Sequence, residues 1–332
     1  MLPVTRRNPG PLRSQPIGVG SVGHRTQVRL EGPRRLSQLP GPFAARGSGG
    51  TGLAVRRWTV LSRSNPYRFL GGALLATAVF AALYLFFVRT HAGQAADQLA
   101  YDGADFGRRS VTPFTQGILD WLPMASAVVG LLLTIVIALI RRHLKTFVVA
   151  VGVAGAAIAT TQLLKYGILT RPDLGVEGYA GNSFPSGHTT VAAASALALF
   201  LVASPRTRSK VGVWGTVFAV LAGLSTLADQ WHRPSDVIAA LLVVAFWGCV
   251  GGAVLSVNRG AVDPPPHDSP SRQWWIAIPF AIVSGLALVV TLLDASAGAS
   301  GALIAYIGGL TAIAASGFLI AVTATRLFAP LP

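Results

Sequence analysis

Eight apolar runs, each close to the length that crosses a bilayer, constrain this chain more than anything else in it. They fall at 69–88, 117–140, 146–164, 188–204, 211–228, 237–257, 274–293 and 302–325. Crossing the hydrocarbon core takes about 20 apolar residues in a helix, the form that satisfies every backbone group within its own segment. The fourth and fifth runs are short and rich in Ala and Gly. The fold expected is an all-α integral membrane protein with about eight transmembrane helices. It divides into a six-helix core over 65–257, a linker over 258–273 that contains Pro264-Pro265-Pro266, and a C-terminal two-helix hairpin over 274–332. Of 332 residues 52% are hydrophobic and 12% charged, which excludes an ordinary soluble domain. The single cysteine, Cys249, lies in the sixth run, where it reads as a small core residue and permits no intramolecular disulfide.

A formal net charge of +15 suggests nucleic acid until it is located. Eleven arginines stand in residues 1–63 against one acid, Glu31. Residues 1–64 are also rich in Gly, Pro and Ser and have no apolar period, so they are expected to form a disordered basic leader. Beside a membrane span such a tail marks the cytoplasmic side and touches anionic lipid. Nucleic acid is not an expected partner, because no aromatic residues interleave with the charge. With the N-terminus cytoplasmic, 21 Lys and Arg fall on the cytoplasmic side and six on the other. By the positive-inside rule this is the expected orientation, in the cell membrane.

Between the first two runs, 89–116 is expected to be a loop with a short interfacial helix. Its acids Asp97, Asp102 and Asp105 are spaced irregularly and read as solvated rather than as metal ligands.

Three polar islands interrupt the spans, and this orientation puts all of them on the extracytoplasmic face. In the first, Lys165 closes the third span and Arg171 precedes Pro172, which ends the helix. A point charge and a guanidinium fork together suit a phosphate; two snorkelling residues at a helix end are the plainer reading. The second is Pro185-Ser186-Gly187-His188, opening the fourth span. Its turn presents free N–H groups and the positive end of a helix dipole, an anion site, although Ser186 is equally a helix cap. His188 stands in the first turn as a proton donor or acceptor suited to neutral pH. The third is His232-Arg233-Pro234-Ser235-Asp236. Here a carboxylate four residues on can fix the imidazole tautomer and raise the nucleophilicity of the other ring nitrogen, or cap the next helix.

Lys165, Arg171-Pro172, Pro185 to His188, His232 and Asp236 match, in type and order, the motifs of the type-2 phosphatidic acid phosphatase superfamily, which the chain resembles over about residues 69–257. Two departures stand out. Five residues separate Lys165 from Arg171 where the family has six, a difference of about 100° on a helix. Ser225-Thr226 falls where the family has Ser-Arg, so a second phosphate-binding arginine is missing, at about 2–4 kcal/mol of transition-state stabilisation.

The resemblance implies a metal-independent hydrolase that needs no cofactor and works through a phosphohistidine. His232 would be the nucleophile, Asp236 its orienting partner and His188 the general acid and base. Lys165, Arg171 and the N–H groups of Ser186 and Gly187 would bind the phosphate. The substrate implied is a phospholipid or a polyprenyl (pyro)phosphate. The alternative is a degenerate member that binds or helps transport a lipid phosphate, for which Thr226 argues. A proton-relay transporter would need ionisable groups deep in mid-span, and only Asp120, near one edge, comes close.

Overall fold

The computed structural model describes residues 66–178, 181–257, 274–293 and 299–329. The expected basic leader and the linker 258–273 lie outside the described residues. All regular structure among the described residues is helical. In chain order it comprises α1 (Pro66–Leu83), α2 (His91–Asp102), α3 (Asp105–Arg141), α4 (Leu144–Leu163), α5 (Gly187–Val202), α6 (Pro205–Ala228), α7 (Pro234–Ser256), α8 (Trp274–Leu293) and α9 (Ala299–Phe328). Two single π-helical turns, Tyr84–Val88 and Leu164–Ile168, extend α1 and α4.

Among the described residues seven helices are long and apolar enough to cross a membrane, and the protein is a multi-pass membrane protein. The fourth expected span is shorter than the rest: α5 has 16 residues. It is nevertheless central, packed against α3, α4, α6 and α7. Ala157 of α4, Ala193 and Ala194 of α5, Ala219 of α6 and Leu241, Val243 and Val244 of α7 close the core around it. Small side chains let these backbones approach, as helices in lipid require, where no hydrophobic effect drives them together. Cys249 is buried on α7, as expected of a core residue. The outward faces of α1, α3 and α8 carry exposed Leu, Val and Ile, the surface a bilayer covers.

The segment expected to be a loop is largely helical. α2 occupies 91–102 and α3 begins at Asp105, so the connection is Gly103 and Ala104 alone. Thr90 caps α2 by accepting the Gly93 N–H at 3.0 Å. Gly93 itself is required: a Cβ there would stand 2.0 Å from the Phe86 carbonyl oxygen. α2 thus lies against the end of α1 and packs on α9 and α7.

The C-terminal hairpin is not a loose appendage. α9 packs on α6 and α7 as well as on α8, and Ile313 joins Val220, Leu227 and Val237 in one buried cluster.

Candidate active site

The three polar islands meet at one end of the bundle. Asn182 sits between the first two: its Nδ2 donates to the carbonyls of Lys165 and Leu169, both at 2.9 Å, and its Oδ1 accepts the Phe184 N–H. The second island is tied to the third by the Ser186 N–H, which donates to the Asp236 carbonyl at 2.9 Å. Ser186 is also the N-cap of α5, its Oγ accepting from the Thr189 N–H at 3.3 Å. Its own amide is therefore spent on Asp236. The first helical amides, those of Gly187 and His188, occupy positions for which a helix offers no internal acceptor.

Asp236 is fully buried, and both its oxygens are engaged. Oδ1 accepts from Arg171 Nη2 at 3.1 Å. Oδ2 faces His232 Nδ1 at 3.4 Å and accepts from the Ser183 hydroxyl and, at 3.0 Å, from the Arg233 N–H. The carboxylate caps α7 and holds His232 at once, so the two readings of the third island both apply. With Nδ1 against Asp236, His232 is left with Nε2 for chemistry. The His188 ring lies 6.1 Å from the His232 ring and 5.0 Å from that of Trp231, centre to centre. His188 and Gly187 are half-buried, whereas His232 is 5% exposed.

Lys165 stands in the π-helical turn that ends α4, half-buried. Such a turn is wider than an α-turn, so the facing direction of Lys165 is not the one that counting along an ideal α-helix supplies. Arg171 lies elsewhere than at the mouth: its side chain is 2% exposed and Nη2 is shared by Asp236 and, at 3.7 Å, Asp97.

Of the 89–116 acids read as solvated, Asp102 and Asp105 are exposed, and Asp97 is the correction. It is 2% exposed. Its Oδ1 accepts the Ser235 N–H at 3.1 Å and its Oδ2 the Ser235 hydroxyl at 2.6 Å. Burial, with Asp236 nearby, pushes its carboxyl up to about 6, against the opposing pull of Arg171 and Ser235. Next to it Gln98 Oε1 accepts from Arg233 Nε at 2.9 Å and Nη2 at 2.6 Å, while Arg233 Nη1 donates to Ser183 at 3.2 Å. Gln94 donates to the Val88 and Pro172 carbonyls. Tyr101 donates to the Gln230 carbonyl and lies under the Arg233 guanidinium. These α2 residues were missed as site residues because only the acids were weighed. Gln94, Asp97, Gln98 and Tyr101 are spaced i, i+3, i+4 and i+7, a polar stripe on one helical face.

Thr226 is fully buried on α6, its hydroxyl donating to the Gly223 carbonyl at 2.8 Å. Its carbonyl accepts the Trp231 and His232 N–H groups, holding the turn that presents His232.

The assembly pairs an imidazole and a carboxylate beside a second imidazole and a helix N-terminus; the Lys165 ammonium lies over the ring of the exposed Tyr166, on the turn that Asn182 ties to this end. That set can bind an oxyanion, attack it and move a proton. No curated protein and no solved structure matches the chain. The stretch that carries Lys165, Arg171, His188, His232 and Asp236, residues 146–258, matches the model of the PAP2 superfamily, the family whose motifs these residues resemble.

Proposed function

We propose that the protein is a membrane lipid phosphatase that works through a phosphohistidine on His232. The observation that carries this reading is the His232–Asp236 pair, buried at the bundle end where His188 and the α5 N-terminus also meet. A module that only bound phosphate would have no use for an oriented nucleophile.

The substrate phosphate rests against the Gly187 and His188 amides, where the helix dipole favours an anion. Lys165 adds a full positive charge. His232 Nε2 attacks phosphorus in line, the P–N bond forming as the P–O bond to the lipid breaks. Asp236 stabilises the imidazolium character that develops. Protonated His188 gives its proton to the departing oxygen. Now neutral, it takes a proton from water, whose oxygen attacks phosphorus, breaks the P–N bond and releases inorganic phosphate. Donors aimed at the equatorial oxygens supply the electrostatic stabilisation that phosphoryl transfer depends on.

Two expected donors have other duties in this arrangement. The Ser186 amide serves Asp236, so the anion site shifts one residue along, to Gly187 and His188. Arg171 Nη2 is held by the two acids. Arg233, with its fork on Gln98 and Ser183, is no substitute for the family arginine absent at Thr226. Lys165 then carries a larger share of phosphate binding.

The side on which the site opens follows from charge. Arg141 and Arg208 donate to the carbonyls at the far end of α5, Val202 and Ala203, away from the site. With Arg142, Lys145, Arg206 and Lys210 they favour that end as the cytoplasmic one, which supports an extracytoplasmic site in the cell membrane. The basic leader would meet anionic lipid on the cytoplasmic side. The substrate class is an amphiphile with an exposed phosphate or pyrophosphate, such as phosphatidic acid, phosphatidylglycerol phosphate or a polyprenyl pyrophosphate.

The test is phosphate release from those three lipids by detergent-purified protein, with EDTA present. Release is expected to survive the chelator and to vanish in His232→Ala, with His188→Ala nearly inactive. Unchanged turnover in His232→Ala would overturn the phosphohistidine mechanism. Lipid binding without release would favour the degenerate binder, for which the buried Thr226 and the acid-bound Arg171 already speak.

A further inference from the structure

α2 lies outside the family match, yet its inward stripe reaches the chemical groups from behind. Arg171 meets two carboxylates through a single nitrogen, Nη2, with Asp236 at 3.1 Å and Asp97 at 3.7 Å. Asp236 in turn divides its charge between Arg171 and His232, the latter at 3.4 Å. The three contacts compete. Whatever strengthens the Arg171–Asp236 pair draws negative charge away from His232, and whatever holds Arg171 back leaves it there. All of the side chains involved are buried, so water does not screen the competition.

We propose that Asp97 is a positioning residue for phosphoryl transfer: by sharing Arg171 it keeps Asp236 available to orient and activate His232. It does so from α2, across the first turn of α7, where the Ser235 N–H and hydroxyl both bind it. Asp97 never touches substrate. It acts through Arg171 and Asp236, as outer partners act through ligands at metal sites. This inference rests on the phosphohistidine reading above.

The groups that face Asp97 are few. Arg171 comes from the segment after α4, and Ser235 and Asp236 come from α7. Gln98, on α2 itself, holds Arg233 alongside. On its other side a small cavity of about 70 Å³ separates α2 from the hairpin, where α8 and α9 present Ser284, Leu288, Thr291, Ala305 and Gly308 and no titratable side chain. Protonation of Asp97 releases its claim on Arg171 and is therefore equivalent to removing it. Ionised Asp97 is the working form, so its contribution is present above pH about 6 and fades as pH falls through that value.

The test uses the full chain in detergent, with phosphatidic acid as probe or farnesyl pyrophosphate if that is cleaved faster. Asp97→Asn is expected to lower kcat by about 10- to 100-fold, the range found when outer partners are removed at metal sites. KM should stay within about twofold, because phosphate binding is left in place. The acid limb of kcat against pH should also become less steep by one proton, since one of the groups that must be ionised has gone. An unchanged kcat, or a lowered kcat whose acid limb keeps its steepness, would overturn the proposal. If Asp97→Asn does not fold, Ser235→Ala serves instead. It removes one donor to the Asp97 carboxylate and should move the acid limb to higher pH; an unmoved limb overturns the proposal. The two failures are distinct. Wild-type release that needs His232 but is indifferent to Asp97 defeats this inference alone, whereas absence of release from the wild type on every lipid defeats the phosphatase reading and this inference with it.

Discussion

At Thr226 the chain has a small hydroxyl where the family motif has an arginine, and its surroundings oppose restoring one. The side chain is fully buried and satisfied by its own helix, and the adjoining carbonyl supports the His232 turn. A guanidinium there would be desolvated and overpacked, each a cost of some kcal/mol. Thr226→Arg is therefore expected to lower the melting temperature and leave kcat no higher, by thermal unfolding and phosphate release on the same preparation. A gain in kcat would show that the pocket yields. Asp97 carries a second consequence at this scale. Its carboxyl is raised above the ordinary 3.8 by burial, so the folded state holds that proton more tightly than the unfolded one. The stabilisation is fully present below pH about 4 and is lost as pH rises to about 6. The melting-temperature advantage of wild type over Asp97→Asn should therefore shrink across that window, the range in which the proposed activity rises.

At the scale of elements, the spans and the three islands were legible because long apolar runs and breaks at Pro172, Pro185 and Pro234 are strong local signals. α2 was legible as a short helix, but not as part of the site. Its acids were judged by their own irregular spacing, whereas the stripe that matters mixes two amides, one acid and a phenol. Where Arg233 and Arg171 point was not legible at all, since it depends on partners 135 and 65 residues away in sequence. The Lys165 direction depends on a π-helical turn that nothing in Leu164–Ile168 announces. The close seat of α2 on α1 gives a direct test. Gly93→Ala puts a methyl 2.0 Å from the Phe86 oxygen, so the helix must lift and carry Asp97 and Gln98 away. Phosphate release should fall at least as far as in Asp97→Asn, with a lower melting temperature. Wild-type activity would mean that the site does not need α2.

For the molecule as a whole, the orientation is testable with one cysteine at a time. Cys249 is buried and can be replaced by Ala at modest cost, and both Asp173, beside the site, and Arg206, at the far end, are exposed. In intact cells an impermeant maleimide should label Asp173→Cys and leave Arg206→Cys unlabelled; the reverse pattern would invert the topology. The short α5 sets the depth at which all this happens. Its 16 residues rise about 24 Å, less than the roughly 30 Å of the hydrocarbon core. If the far end of α5, where Arg141 and Arg208 bind, lies at the cytoplasmic headgroups as the proposed orientation has it, the helix begins below the level of the opposite ones. On the proposed reading the reacting phosphate would sink toward the acyl region to meet it, shedding water on the way. Small headgroups can make that descent and bulky glycosylated ones cannot. Were the bond cut there, as proposed, the freed inorganic ion would be rehydrated outward, and the lipid product would be left already at its resting depth.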